Sequence, residues 1–332
     1  MRMGKPTIVE LARAAGVSVT TVSHAFSGRR YVDPETCKRI QAIAREMGYR
    51  ANPRARRLRT GGAASIALVS SMPFAVAAGP SRLGFLMEIA AAAAMPALSN
   101  GLALCIVPPL GPDVSLDALE VDGVVIIEPA RDDRLLEFFC SRGLPVVSIG
   151  RVPDRDDIAF VDLQSEKTAT IMLDHLASGG GRIGLITGVE RRNSYLETEA
   201  AYLRHAAVNG YEPVAVRIDE CGGEEAAAEV AADLLRRMPD IAALCVPVDA
   251  FATGVLKAAK ALNRPVPAGL RIATRYDGLR AKLASPPLTA VNLHLDQIAA
   301  TAVDLLIAQL QNREAQPPVY LPPELVPRAS SA

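Results

Sequence analysis

Apolar residues recur at helical spacing in three short segments at the start of the chain. Their inward positions are Ile8, Leu11, Ala12 and Ala15, then Val22 and Ala25, then Ile40, Ile43, Ala44 and Met47. Residues three and four apart share one face of a helix, so each segment predicts a helix with a single apolar face. Three such faces form one small core, and we expect residues 1–50 to fold as an all-α unit.

Helix start signals precede each of the three segments. Thr7 and Glu10 match a capping box. Ser18 and Asp33 stand at the N-cap positions of the second and third helices. Gly16 permits a tight turn between the first two helices. A helix pair joined by a glycine turn matches the helix-turn-helix motif, although such pairs also occur in ordinary helical proteins.

Charge separates this segment from the rest of the chain. Residues 1–60 hold 13 Lys and Arg against 4 Asp and Glu, a net charge of +9, whereas the remaining residues carry −9. On the second helix Val19, Thr20 and His24 lie outside the apolar face, where methyl, hydroxyl and imidazole groups can meet base edges. The basic charge and this outer face together favour nucleic-acid binding over a purely structural helix pair.

A second basic segment follows over residues 52–62. It contains four arginines and Leu58, and its Asn52-Pro53 start is typical of a short helix. Two helical turns are marginal in water, and phosphates would neutralise the arginines, so folding coupled to DNA binding is one interpretation. Leu58 would then act as a wedge between base steps. The alternative is a basic linker with Leu58 in contact with the body.

From residue 65 onward, short apolar runs alternate with helical patterns. Strands are predicted at 66–69, 102–107, 124–127, 145–149, 183–187, 241–246, 289–291 and 319–321, and helices at 81–99, 131–142, 165–178, 195–209, 223–238, 249–262 and 297–311. This alternation is typical of parallel sheets with crossover helices. A break near 151–157 divides the pattern, which predicts an α/β body of two lobes.

The sequence disfavours several classes of protein. No apolar run reaches the roughly 20 residues of a membrane span, and the N-terminus lacks the apolar stretch of a secretory signal, so we expect a cytoplasmic location. The five cysteines lack metal-site spacing, and His175 and His205 have no partners at ligand spacing, so no metal or cofactor is expected. Residues 179–184 match G-x-G-x-x-G but precede a strand, which favours a loop over a dinucleotide site.

Residues 7–62 resemble the headpiece and hinge of the lactose-repressor (LacI/GalR) family. The likeness lies in the run AGVSVTTVSH at 15–24 and in the hinge from Asn52-Pro53 to Leu58. It continues through residues 161–162, 183–188, 249–254, 286–289 and 321–324. The resemblance implies a DNA-binding transcriptional regulator with a two-lobed body like that of periplasmic binding proteins. Because members of this family typically repress transcription, it also implies a repressor.

The resemblance also implies domain boundaries and DNA contacts. Residues 1–50 would form the headpiece, 51–62 the hinge and 63–332 the body, with lobe one over about 63–156 and 289–312 and lobe two over about 157–288 and 313–332. The implied DNA contacts are Thr7, Ser18, Val19, Thr20, Thr21, Ser23, His24, Asn52, Arg54, Ala55, Arg57 and Leu58. The implied partner is a pseudo-palindromic double-stranded operator bound by a homodimer, with a tetramer as the alternative.

A small-molecule effector between the lobes is a further implication. The implied effector positions are Ser71, Thr198, Val248, Asp249, Arg275 and Tyr276. Thr198, Val248 and Tyr276 stand where sugar-sensing relatives have an arginine, an asparagine and an aspartate that bind hydroxyl groups. We therefore expect a more apolar, aromatic cleft, suited to an aromatic or carboxylated metabolite, with Arg275 either an anion partner or directed to solvent. A regulator without an effector is the alternative.

Two other functions compete with regulation. The body alone would serve as a solute-binding receptor, but the basic N-terminal segment and the missing secretory signal argue against this function. An α/β enzyme is disfavoured because no nucleophile, base and oxyanion donor can be assembled from motif spacing.

Overall fold

The computed structural model describes residues 8–27, 32–47, 65–77, 84–109 and 115–332. The chain divides into two units, Met1–Ala64 and Ser65–Ala332. The first unit contains α1 (Ile8–Ala14), α2 (Val19–Ser27) and α3 (Pro34–Glu46). Leu11, Val22 and Ile40 are fully buried in its core. The three helices predicted from the apolar spacing are confirmed.

The second unit begins with a parallel sheet. Its strands are β1 (Ser65–Ser70), β2 (Ala103–Val107), β3 (Gly123–Ile127), β4 (Val146–Ile149) and β5 (Ala159–Val161), in the order β2-β1-β3-β4-β5. The helices that connect them include α4 (Phe74–Ala77), α5 (Phe85–Ser99) and α6 (Arg134–Ser141). β3 and β4 are buried at every position, as expected for strands with both faces covered.

A second parallel sheet follows. It consists of β6 (Arg182–Gly188), β7 (Ala215–Ile218), β8 (Ile241–Cys245) and β9 (Arg271–Ala273), in the order β7-β6-β8-β9. The helices of this part are α7 (Ser165–Ala177), α8 (Asn193–Val208), α9 (Gly223–Arg237), α10 (Asp249–Ala261) and α11 (Leu279–Leu283). The strand-helix alternation of the sequence therefore forms two parallel sheets, as predicted.

The last part of the chain returns to both sheets. β10 (Ala290–Asn292) pairs antiparallel with β11 (Glu324–Val326), and between them α12 (Leu295–Leu310) packs on β3, β4 and α5 of the first lobe. Near the C-terminus, the Ser330 hydroxyl donates to the Ile272 carbonyl at 2.6 Å and accepts from the Thr289 N–H at 2.8 Å. The C-terminal segment thus contributes to both lobes of the α/β body.

Some predicted elements need correction. The helix expected over 81–99 begins at Phe85, and α4 forms a separate turn of helix before it. The strand expected at 319–321 is not formed, because β10 takes Glu324–Val326 as its partner instead. β5, β7 and β9, of three or four residues each, were not among the predicted strands. β5 pairs with β4, so the first sheet extends past residue 156.

Candidate functional site

The second helix of the first unit begins at a side-chain cap. Ser18 Oγ accepts a hydrogen bond from the backbone N–H of Thr21 at 3.0 Å and lies 2.8 Å from the Thr21 hydroxyl oxygen. Asp33 caps α3 in the same way, accepting from the Thr36 N–H at 2.9 Å. These bonds satisfy N–H groups that have no partner within the helix. Both predicted caps are confirmed, and the Ser18 cap fixes where α2 starts.

The predicted base-reading residues follow this cap. Val19 and Thr20 are exposed, and Thr21 and His24 are half-buried. Ser23 lies next to Val22 near the core-facing side of α2 and is 4 % exposed. Its hydroxyl is therefore not exposed for the predicted DNA contact in this conformation. The other predicted contacts lie outside the described residues: Thr7, Asn52, Arg54, Ala55, Arg57 and Leu58.

In the second unit, the carboxyl ends of strands from both sheets meet. The polar residues that follow these ends are Ser71 after β1, Glu128 after β3, Arg192 and Ser194 after β6, Glu220 after β7 and Arg275 after β9; we call them the cleft cluster. Hydrogen bonds join members of the cluster across the two lobes. In open α/β sheets, the crevice outside the carboxyl ends of strands is where ligands bind.

Arg192 makes the largest number of contacts in this cluster. Its Nε and Nη2 donate to the Glu220 carboxylate at 2.8 and 2.7 Å. The same guanidinium donates across the lobes to the Glu128 carbonyl and, at 3.1 Å, to the Ser71 carbonyl. The side chains of Arg192 and Glu220 are 2 % and 1 % exposed, so the pair is bidentate and buried. Tyr195 donates to Glu220 at 2.6 Å, and burial keeps its phenol protonated by raising its pKa well above the ordinary value.

Glu128 lies on the first lobe and points towards the second. One carboxylate oxygen lies 3.2 Å from Nη1 of Arg275, and the other accepts the Ser194 hydroxyl at 2.5 Å. The backbone of Glu128 has φ +51°, a left-handed conformation that residues with a Cβ rarely adopt. Gly150 leaves room for the carboxylate, because a Cβ at that position would lie 3.2 Å from Oε1 of Glu128.

An aromatic pair borders the cleft cluster. The rings of Phe85 and Tyr276 meet edge to face with centroids 5.1 Å apart, and the Arg275 guanidinium lies 5.8 Å from the Phe85 centroid. Burial raises the pKa of Tyr276 far above its ordinary value, so this phenol is neutral. The expected aromatic character is present, but the expected apolar cleft is instead lined with the buried charges of Glu128 and Arg192.

The six predicted effector residues have different surroundings. Ser71 and Arg275 belong to the cleft cluster, and Arg275 is buried, which contradicts the alternative that it points to solvent. Thr198 is buried in α8 and donates to the Ser194 carbonyl at 2.7 Å. Val248 precedes α10 and is buried beside Asp249.

Asp249, another of the predicted effector residues, lies at the start of α10. Its carboxylate lies 3.3 Å from Nε of Arg280, which also pairs with Glu224. Burial raises the pKa of Asp249 and Arg280 opposes this shift. Asp249 therefore belongs to a second buried charge group on the same lobe.

Four members of the cleft cluster were missed by sequence reasoning: Glu128, Arg192, Ser194 and Glu220. Glu128 directly follows the predicted strand 124–127, so a polar residue at a strand end was an available signal. Glu220 follows β7, which was itself not predicted. Neither residue belongs to a recognisable local motif, because each carboxylate pairs with an arginine that is distant in sequence.

Two negative findings concern the described ranges. Within them, no helix has the length and apolar character needed to cross a membrane. In the same ranges, no group of three or more His, Cys, Asp or Glu side chains is arranged to hold a metal ion.

Comparison with known proteins agrees with the observed architecture. Residues 7–52 match the family described as bacterial regulatory proteins, lacI family, and residues 173–331 match a periplasmic binding protein-like domain. The HTH-type transcriptional regulator AglR of Rhizobium meliloti (strain 1021) is 30 % identical, over 97 % of this chain and 93 % of its own length. The HTH-type transcriptional regulator IpsA of Corynebacterium glutamicum is 29 % identical, over 86 % of each protein.

Solved structures share the fold. The Lac repressor dimer bound to operator and the anti-inducer ONPF superposes with a TM-score of 0.75 at 22 % identity, covering 99 % of both chains. The complex of transcriptional regulator CelR with cellobiose gives a TM-score of 0.71 at 23 % identity, covering 98 % of this chain and 99 % of CelR.

A helix-turn-helix unit followed by a periplasmic-binding-protein-like body defines a class of protein, the DNA-binding transcriptional regulators controlled by a small-molecule effector. The similarity to AglR extends over nearly all of both chains. The chain belongs to the LacI family of bacterial regulatory proteins. The family and the regulatory function predicted from the sequence are thereby confirmed.

Proposed function

We propose that the protein is a repressor that binds a pseudo-palindromic operator as a homodimer. Its affinity for the operator falls or rises when a small molecule binds at the cleft cluster. The observation that carries the proposal is the Ser18-capped helix α2, which presents Val19 and Thr20 at its exposed start. In a helix-turn-helix, the second helix places its N-terminal residues against base edges in the major groove. A homodimer doubles these contacts on two half-sites, and a tetramer is the alternative assembly.

Footprinting on the DNA upstream of the protein's own gene tests the DNA-binding part. Affinity for the protected site should fall steeply between about 50 and 200 mM salt, because the basic segment 1–60 displaces counterions from phosphates. A flat dependence of log affinity on log salt would contradict phosphate neutralisation. The boundaries 1–50, 51–62 and 63–332, and the hinge role of Leu58, remain part of the proposal.

Buried polar atoms without a hydrogen-bond partner support the effector site. In the described part of the chain these include the Ser71 hydroxyl, the Thr274 hydroxyl and Nε of Arg275. A buried polar group without a partner is costly, and a bound ligand can supply the missing hydrogen bond. The effector is therefore proposed to bind where these atoms lie, among the cleft cluster.

Sugars are the first effector class to test. CelR was solved with cellobiose, and the ribose operon repressor of Escherichia coli (strain K12) is 25 % identical over 98 % of this chain. Thr198, Val248 and Tyr276 provide no charged or amide group for paired hydroxyls, so we propose that common sugars bind poorly. Calorimetric titration of the full chain with hexoses and pentoses tests this, and micromolar binding of any of them would contradict it.

We infer further that the protein acts in the cytoplasm, where its DNA is, and has no catalytic role. The cleft cluster contains no histidine or cysteine, and its two carboxylates are paired with guanidinium groups, an arrangement that lacks a neutral base beside the Ser194 hydroxyl. A solute-binding receptor is the second candidate, since the body alone would suffice for it. The capped helix α2 favours the regulator, and failure to bind any DNA under footprinting conditions would favour the receptor.

A further inference from the structure

The carboxylate of Glu128 occupies the cleft in the way that a bound ligand would. It comes from the lobe of β3, and both of its side-chain partners come from the lobe of β6 and β9. These partners are Nη1 of Arg275 at 3.2 Å and the Ser194 hydroxyl at 2.5 Å. A buried guanidinium together with a hydroxyl donor is a typical recognition set for a carboxylate. The Glu128 side chain is 1 % exposed, so the protein encloses it completely.

The backbone and the neighbouring charges show that this carboxylate has a specific place. Glu128 adopts an unfavourable left-handed conformation, and Gly150 provides the space beside Oε1. The ion pairs of the cluster balance, since Glu128 and Glu220 are paired with Arg275 and Arg192. A further buried anion would upset this balance unless the Glu128 carboxylate left the site.

We propose that Arg275 and Ser194 form a carboxylate-binding site that the chain fills with its own Glu128, and that a small organic carboxylate is the effector class that replaces it. Glu128 then acts as a tethered ligand that holds the two lobes together. Because a tethered group has a high effective concentration, the replacing molecule needs further contacts, for which the Phe85 and Tyr276 rings are adjacent. This inference rests on the proposed effector role of the cleft.

The variant Glu128→Gly tests the inference in the full-length protein. Glycine tolerates the left-handed backbone, so the substitution removes the carboxylate without adding strain. The matched control is Asp132→Gly, because Asp132 is an exposed carboxylate with φ +57°. The measurement is Tm in sodium acetate and in sodium chloride at equal concentration, with acetate as the untethered carboxylate.

Acetate should raise the Tm of Glu128→Gly over its value in chloride, in a saturating manner and by about 3 °C at tenfold excess over Kd. The wild type and Asp132→Gly should show the same small difference between the two salts, which measures the general effect of acetate on protein stability. Adding Arg275→Met to Glu128→Gly should abolish the response. The same acetate response in Glu128→Gly and Asp132→Gly would overturn the proposal.

A second variant covers the case in which Glu128→Gly does not fold. Glu128→Asn replaces the carboxylate with a neutral amide that tolerates the left-handed backbone, and this variant should show the same preference for acetate over chloride. Absence of this preference would equally overturn the proposal.

Operator affinity measured on the same variants separates this inference from the proposed function. If acetate stabilises Glu128→Gly but never changes operator affinity, the carboxylate site is supported and control of DNA binding through the cleft fails. If acetate has no effect while a sugar changes wild-type operator affinity, the carboxylate inference fails and the proposed function stands.

Discussion

Arg192 neutralises the buried carboxylate of Glu220, and Arg192→Met tests what the loss of this neutralisation costs in stability. Methionine removes two hydrogen bonds to Glu220 and the bonds to the carbonyls of Glu128 and Ser71. Glu220 keeps the Tyr195 hydroxyl but loses the guanidinium that neutralises it. Removing one member of a buried ion pair costs about 3–5 kcal/mol, because the remaining charge stays desolvated. At about 2–4 °C per kcal/mol, the Tm should fall by about 10 °C.

Arg204→Met is the matched control. Arg204 lies on α8 and pairs with Glu166 at 2.5 Å, but these side chains are 57 % and 62 % exposed. Solvent screening limits the contribution of such a pair to about 0–1 kcal/mol. Both variants replace an arginine with a methionine, and they differ in how deeply the lost ion pair is buried.

Urea unfolding followed by far-UV circular dichroism is the suitable assay, because the chain contains no tryptophan. The double variant Arg192→Met/Glu220→Met should recover part of the loss, since neither charge is then left buried without its partner. The reasoning is refuted if Arg192→Met lowers the free energy of unfolding no more than Arg204→Met does.

Three further predictions concern other parts of the molecule. Ser18→Ala should destabilise α2 by about 1 kcal/mol and weaken both specific and non-specific DNA binding, and unchanged non-specific affinity would contradict this. Thr20→Ala should relax base preference at one position per half-site in a randomised-site selection, and an unchanged preference would remove Thr20 from the base-reading residues. Burial and the nearby Arg271 lower the pKa of His175, so the folded state favours its neutral form. The stability that the neutral imidazole contributes is present above the unfolded-state pKa of about 6.5 and is lost as the pH falls below it. His175→Gln should therefore lose less free energy of unfolding than the wild type between pH 7 and pH 5. Equal slopes of this free energy against pH in the two proteins would contradict the lowered pKa.

The helices and most strands were predictable because their causes are local in sequence. The apolar spacing around Leu11, the caps at Ser18 and Asp33, and the buried run of β3 each depend on residues within one or two helical turns. The exposed start of α2 was predictable for the same reason, since Val19 and Thr20 lie off the apolar face. The burial of Ser23 was not predictable in this way, because burial at the edge of a helix face depends on the neighbouring helices.

The cleft was decided by the tertiary structure alone. Glu128 and Arg275 are 147 positions apart, and nothing near either residue indicates that they form a pair. They meet because parallel strands end at the same edge of each sheet and the two sheets place these edges together. The residues Thr198, Val248 and Tyr276 predicted an apolar cleft. The unpredicted residues Glu128, Arg192 and Glu220 place charges there instead. The sequence determines which segments become strands and helices, whereas the packing of the lobes determines which buried charges neutralise one another.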